Sequence, residues 1–168
     1  LLIAGKKRSL AEYALRQVEW TTIFFFIGLF AAVGALVETG IIRQAAVAAM
    51  ELTGGDTVRT SFLVLWLSAI VSSVLDNIPF VATMIPLVQD MGSLGSMNLE
   101  PIWWSLSLGA CLGGNGTLIG ASANLITAGL AAERGVEITF LRYLKVGFPL
   151  MLLTVFLSMI YIYLRYLM

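Results

Sequence analysis

Apolar residues in this chain fall into long uncharged runs separated by short polar interruptions, and the interruptions are as informative as the runs. Thr21 to Val37 carries no charge, follows Trp20 and ends at Glu38. A run of that length predicts a transmembrane helix over 20–38 with an aromatic anchor at one interface. Between Glu38 and Arg59 charged residues mix with the short apolar stretch Ala45 to Met50. That stretch is too short to cross a bilayer and predicts an interfacial helix over 41–52. Thr53-Gly54-Gly55-Asp56 closes it, and Asp56 or Thr57 is placed to cap the next helix. Thr60 to Leu75 is again uncharged, stops at Asp76-Asn77-Ile78-Pro79, and is followed by a second apolar piece, Phe80 to Val88, that ends at Gln89-Asp90. Pro79 suits the first turn of a helix, and the second piece is too short to span. The pattern predicts a re-entrant hairpin over 57–90 with its tip at Asp76-Asn77, its return arm bent at Pro86.

Asp90 to Glu100 is a polar, acidic loop without Lys or Arg, and Pro101 to Ala132 then carries no formal charge at all. As one helix, its roughly 32 residues would reach about 48 Å. That is half as long again as a hydrocarbon core of about 30 Å. Its centre holds Gly113, Gly114 and Gly116 around Asn115 and Thr117, residues a helix interior tolerates poorly. The expectation is a broken helix over 101–132, two halves meeting at an unwound turn. Unwound backbone at membrane depth persists where it is buried in protein or lines a cavity, and discontinuous helices are where secondary transporters hold substrate and coupling ion. After Arg134, Arg142 and Lys145 comes Val146 to Leu164, uncharged and long enough to cross, which predicts a last helix over 146–166.

Composition sharpens this into an integral, multi-pass membrane protein, in a prokaryote one of the cell membrane. Hydrophobic residues are 59% of the chain and charged residues 12%, about half the charged share of a soluble domain. The net charge is zero and no basic run suggests nucleic acid. Histidine is absent, which removes imidazole relays and Ser-His catalysis; with no paired membrane carboxylates either, an enzyme is not expected. Residues 1–19, with Lys6, Lys7, Arg8 and Arg16, read as a cytoplasmic loop with a surface helix preceding a membrane transport domain over 20–168. Positive charge in short loops places 6–19 and 133–145 inside and 90–100 outside. The chain opens L-L-I-A-G-K-K-R from Leu1, which reads as the tail of a preceding span, so a longer polypeptide is expected.

Asp76 is the carboxylate that lies well inside an apolar segment. Burial favours a neutral carboxyl and a bound cation favours the ionised one, a competition that underlies proton/cation exchange. The plainer alternative is that Asp76 caps the return helix. Asn77, Asn115, Thr117, Ser122 and Asn124, with carbonyls freed at the breaks, could replace a cation's hydration shell. The half-helix after Gly116 points free N–H groups at the same place, which suits an anion. No cofactor is expected beyond a coupling ion. Gly109-x-x-x-Gly113 and Gly116-x-x-x-Gly120 fit the helix-packing motif; packing inside the chain accounts for them, and a homodimer stays open. Asn115-Gly116-Thr117 fits a glycosylation sequon and Gly114-x-Gly116 part of a dinucleotide fingerprint, but neither has the required context.

S-S-V-L-D-N-I-P-F-V-A-T-M-I-P (Ser72 to Pro86) and L-G-A-C-L-G-G-N-G-T-L-I-G-A-S-A-N (Leu108 to Asn124) resemble the arsenite-permease and melanosomal P-protein-like transporters, the citrate-transporter-like group of the ion transporter superfamily. V-E-W-T-T-I-F-F-F-I-G-L-F (Val18 to Phe30) and K-V-G-F-P-L-M (Lys145 to Met151) match as well. The resemblance implies an all-α integral membrane fold, one repeat of an inverted-repeat secondary transporter, with a re-entrant helical hairpin and a broken transmembrane helix. It also implies a partner, the first repeat, supplied by the same or another chain, in addition to the lipid bilayer and a small inorganic or organic ion. Sodium-coupled relatives hold sodium through Ser-Asn-Thr motifs at the hairpin tip and the break. Here the tip reads Asp76-Asn77 and the break Asn115-Gly116-Thr117 with Ser122-Ala123-Asn124. The implied sodium ligands are Asp76, Asn77, Asn115 and Asn124, with Gly116, Thr117 and Ser122 beside them, Pro79, Gly113 and Gly114 shaping the elbow and break, and H+ or Na+ as coupling ion. The Asp-Asn tip resembles that of sodium/proton antiporters of the same superfamily, which makes cation exchange the alternative to anion transport. A scaffold subunit without transport is the other alternative.

Overall fold

The computed structural model describes residues 18–95 and 97–168, and every regular element among them is helical. The expected surface helix near residues 11–19 falls almost wholly outside the described residues. The chain divides into two compact units, residues 1–35 and 36–168. Helix α1, Trp20–Glu38, belongs to the first as far as Ala35. It is long and apolar enough to cross a membrane. Phe24, Phe25, Ile27 and Phe30 are exposed on it, a surface that lipid, not water, would wet.

In the second unit α2 (Ile41–Thr53) ends in a double-glycine cap. Gly54 and Gly55 take left-handed φ of 64° and 70°, and the Gly55 N–H bonds back to the Met50 carbonyl at 3.1 Å, a Schellman closure. Asp56 then caps α3 (Thr57–Ser72), its carboxylate accepting from the Arg59 N–H at 2.8 Å. The α3 helix ends in a short turn at Ser73–Asp76 and gives way to α4 (Asn77–Leu94). This is longer than expected: the helix continues through Gln89 and Asp90 for 18 residues, roughly 27 Å. Gln89 and Asp90 do not stop it, and neither does Gly92 behind them: a Cβ there would come 2.5 Å from Leu99 Cδ1, so that glycine makes room for the returning chain, and the loop shrinks to the few residues before Glu100.

The expected interruption of 101–132 is present. Helix α5 (Glu100–Gly113) and helix α6 (Ser122–Ala132) are separated by a non-helical segment over 114–121. Helix α7 (Phe140–Ile162), extended by a π-helical turn at Tyr163–Leu167, begins six residues earlier than expected, capped by Thr139. Over Phe140–Leu167 it is the second helix long and apolar enough to cross a membrane. Its 28 residues, roughly 42 Å, exceed a hydrocarbon core. Arg142, Lys145 and Arg165 therefore fit within the helix near its two ends, where long basic side chains reach the interface.

Helix α3 is the central element. One face packs Val64 with Phe80, Met84 and Val88 of α4 and Ile102, Leu106 and Ala110 of α5. Another packs Leu65 and Ala69 with Met151, Val155 and Ile162 of α7. The α3–α5 contact is the most intimate in the unit, and glycine is the reason. A Cβ on Gly109 would come within 2.8 Å of Ser68 Cβ, and one on Gly113 within 2.7 Å of Ala69 Cα. With no hydrophobic drive between helices in lipid, such close backbone approach is what holds membrane helices together. Gly109-x-x-x-Gly113 thus serves packing within the chain.

Candidate functional site

The two interruptions of helical structure, the elbow between α3 and α4 and the break between α5 and α6, lie against each other. Ser72 Oγ, fully buried at the end of α3, contacts both the Ala110 carbonyl of α5 at 2.8 Å and the Asn77 side-chain amide. That amide faces Gly114, where a Cβ would sit 3.2 Å from Asn77 Oδ1. Thr117, buried in the break, donates its hydroxyl to the Ser73 carbonyl. Asn124 Nδ2, from the first turn of α6, donates to the Gly114 carbonyl at 2.8 Å and the Thr117 carbonyl at 3.0 Å. The break is therefore a braced loop whose freed carbonyls are partly answered by side chains.

None of the break glycines adopts a positive φ. Gly114, Gly116 and Gly120 are there for room: a Cβ would meet the Asn77 amide, Ser73 Cβ at 2.9 Å and the Ser73 carbonyl oxygen at 2.7 Å respectively. Gly116-x-x-x-Gly120 is thus no helix-packing motif here. It lies outside any helix and lets the loop press on the α3 terminus. The opposite side is closed by α7, where a Cβ on Gly147 would come 2.8 Å from the Asn115 carbonyl oxygen.

The expected site residues separate into two groups. Asn77, Gly113, Gly114, Gly116, Thr117 and Asn124 form the contact network between elbow and break. Asp76, Asn115 and Ser122 are exposed at its edge. Pro79 occupies the first turn of α4. The capping role weighed for Asp76 is not observed: it stands at the N-cap position but its side chain accepts no bond from α4. Three contributors escaped the sequence reading, namely Ser72, Ser73 and Gly147. The Ser72-Ser73 pair was visible as adjacent hydroxyls four residues before Asp76, whereas nothing local marks Gly147, whose partner is 32 residues away.

Beside the elbow, a cavity of about 410 Å³ opens between α4 and α5. Asn77 supplies an amide to it, with Val81, Ile85, Trp103 and Leu106 making apolar walls and Cys111 at the rim. The arrangement offers amide and carbonyl oxygens, a free carboxylate nearby and no cation of its own among these residues, which suits a bound cation better than a bare anion.

A family model described as citrate transporter, CitMHS, matches residues 1–109. The chain belongs to the citrate transporter family. An uncharacterized transporter of Mycobacterium tuberculosis (strain H37Rv) is 46% identical over 168 residues, covering 99% of this chain and 38% of that protein. The 46 kDa membrane protein of Mycobacterium leprae is 42% identical over 171 residues, with 99% and 39% covered. P protein of Homo sapiens is 39% identical over 158 residues, with 90% and 19% covered. The chain thus spans under two fifths of these relatives' length, and it is a membrane domain of a citrate transporter family protein. The similarity to the mycobacterial proteins extends through the break and α7, beyond the residues that the family model matches.

Proposed function

We propose that this citrate transporter family domain is the second half of the transport machinery of a multi-pass secondary ion transporter working by alternating access. In this reading α3 and α4 form a re-entrant hairpin, α5 and α6 form one broken helix, and a first, inverted repeat closes the site from the other side. The observation that carries it is the meeting of elbow and break at Asn77 and Gly114. Two unwound segments at one point give a coupling ion oxygen ligands that continuous helices withhold.

Within transport, cation coupling at Asp76, Asn77, Asn115 and Asn124, by Na+ or H+, is the reading the chemistry favours. Asp76 has a carboxylate at the elbow that caps nothing, and an uncommitted carboxylate can exchange a proton for a cation. The transported species is a small anion, citrate by analogy with the family description, or, if the site serves cation exchange alone, sodium against protons. Full-length protein in liposomes, given a panel of carboxylates, oxyanions and cations under imposed sodium and pH gradients, separates these. Accumulation of none of them by a folded, reconstituted protein would reduce the domain to a scaffold.

A further inference from the structure

We propose that Ser72 is a positioning residue that turns the Asn77 amide oxygen away from the Ser72–Ala110 contact and into the cavity between α4 and α5, and so makes the elbow selective for cations. This rests on the cation reading of the elbow given above.

The argument is a count of protons. A serine hydroxyl has one O–H to donate and two lone pairs to accept with. Ser72 Oγ is fully buried, so no bulk water supplies a further partner. It lies 2.8 Å from the Ala110 carbonyl oxygen and in direct contact with the end of the Asn77 amide assigned as Oδ1. With the oxygen on that side, two acceptors compete for one proton. The Ala110 carbonyl can only accept. It stands in the last turn of α5, where its helical partner, the Gly114 N–H, is 3.4 Å away, so it needs the hydroxyl. The amide has two ends of nearly equal size, and the network decides which one faces inward. Only one arrangement satisfies all three groups: Ser72 donates to Ala110, Asn77 Nδ2 donates to Ser72, and Asn77 Oδ1 faces outward as a free acceptor.

The consequence is specificity. With its nitrogen held inward, Asn77 presents oxygen to the cavity, where it can ligate a cation and would repel an anion. Ser72 touches no ion itself and acts through Asn77.

The test uses the purified full-length transporter and its thermal stabilisation by sodium chloride, with choline chloride holding ionic strength constant. A ligand that binds the folded protein raises its stability with concentration, so the half-maximal sodium concentration reports the site without knowledge of the transported substrate. Ser72→Ala is expected to raise that concentration at least tenfold. Asn77→Asp, which removes the inward donor, is expected to weaken sodium binding too, although it adds a negative charge. If Ser72 instead donated to an inward amide oxygen, Asn77→Asp would preserve that bond and bind sodium as tightly as wild type or more so, and the proposal would be overturned. A Ser72→Ala protein that melts lower in choline but keeps the wild-type sodium midpoint also overturns it, since the serine would then be structural only. A wild-type protein indifferent to sodium removes the sodium reading of the elbow itself and this proposal with it.

Discussion

Asn124 holds Gly114: its side-chain nitrogen lies 2.8 Å from the Gly114 carbonyl oxygen, across the non-helical segment that separates their helices. The same nitrogen reaches the Thr117 carbonyl at 3.0 Å. Helix α6 buries none of its side chains and packs against no other described helix, so this amide is the principal tie between α6 and the rest of the unit. A residue expected to be an ion ligand therefore also has a mechanical task.

Replacing Asn124 by Asp puts an acceptor where two carbonyls need a donor. Loss of two hydrogen bonds, each worth about 0.5–1.5 kcal/mol, together with repulsion between oxygens, is expected to loosen the break. Limited proteolysis or hydrogen exchange over 114–121 should rise several-fold, with α3–α5 protection unchanged. Unaltered exchange across the break would show that α6 is held by something else.

Gly113→Ala is expected to be severely destabilising. The added carbon would sit 2.7 Å from Ala69 Cα, and backbone, unlike a flexible side chain, has nowhere to go, so about 3 kcal/mol or more is the expected penalty. Gly28→Ala is the control, since a Cβ there meets nothing within 4 Å. Detergent melting temperatures of the two variants should differ widely, and equal values would refute the close α3–α5 contact.

Asp76→Asn should separate coupling from folding. Because the carboxylate caps no helix, the substitution is expected to shift stability by less than about 0.5 kcal/mol, the range for exposed sites. Membrane expression should stay normal while coupled transport disappears. Wild-type uptake and pH dependence in this variant would remove Asp76 from the site.

Thr117→Val keeps shape but deletes the hydroxyl that reaches the Ser73 carbonyl. Leaving a buried carbonyl without that donor is expected to cost about 1–3 kcal/mol. Thr127→Val deletes an exposed hydroxyl bonded only to the Ala123 carbonyl one turn back and should be nearly silent. Matching melting curves for the pair would show that the Thr117 bond carries no weight.

The run lengths of uncharged residues determined the helices that could cross a membrane, and the cluster of glycine with Asn115 and Thr117 determined that residues 101–132 could not be one helix. Both follow from local physics: a bilayer sets a length, and a helix interior disfavours glycine. Helix ends were less legible at Asp90 and Lys145, because one or two charges do not stop a helix, and the glycines that follow them, Gly92 and Gly147, serve close packing inside it. Tertiary structure alone decided which residues meet. Gly114 is small because Asn77 lies over it, Gly147 because the Asn115 carbonyl presses on α7, and Ser72 matters because Ala110, 38 residues on, needs its proton. Such pairings depend on how closely two backbones approach, a quantity that no single stretch of sequence encodes.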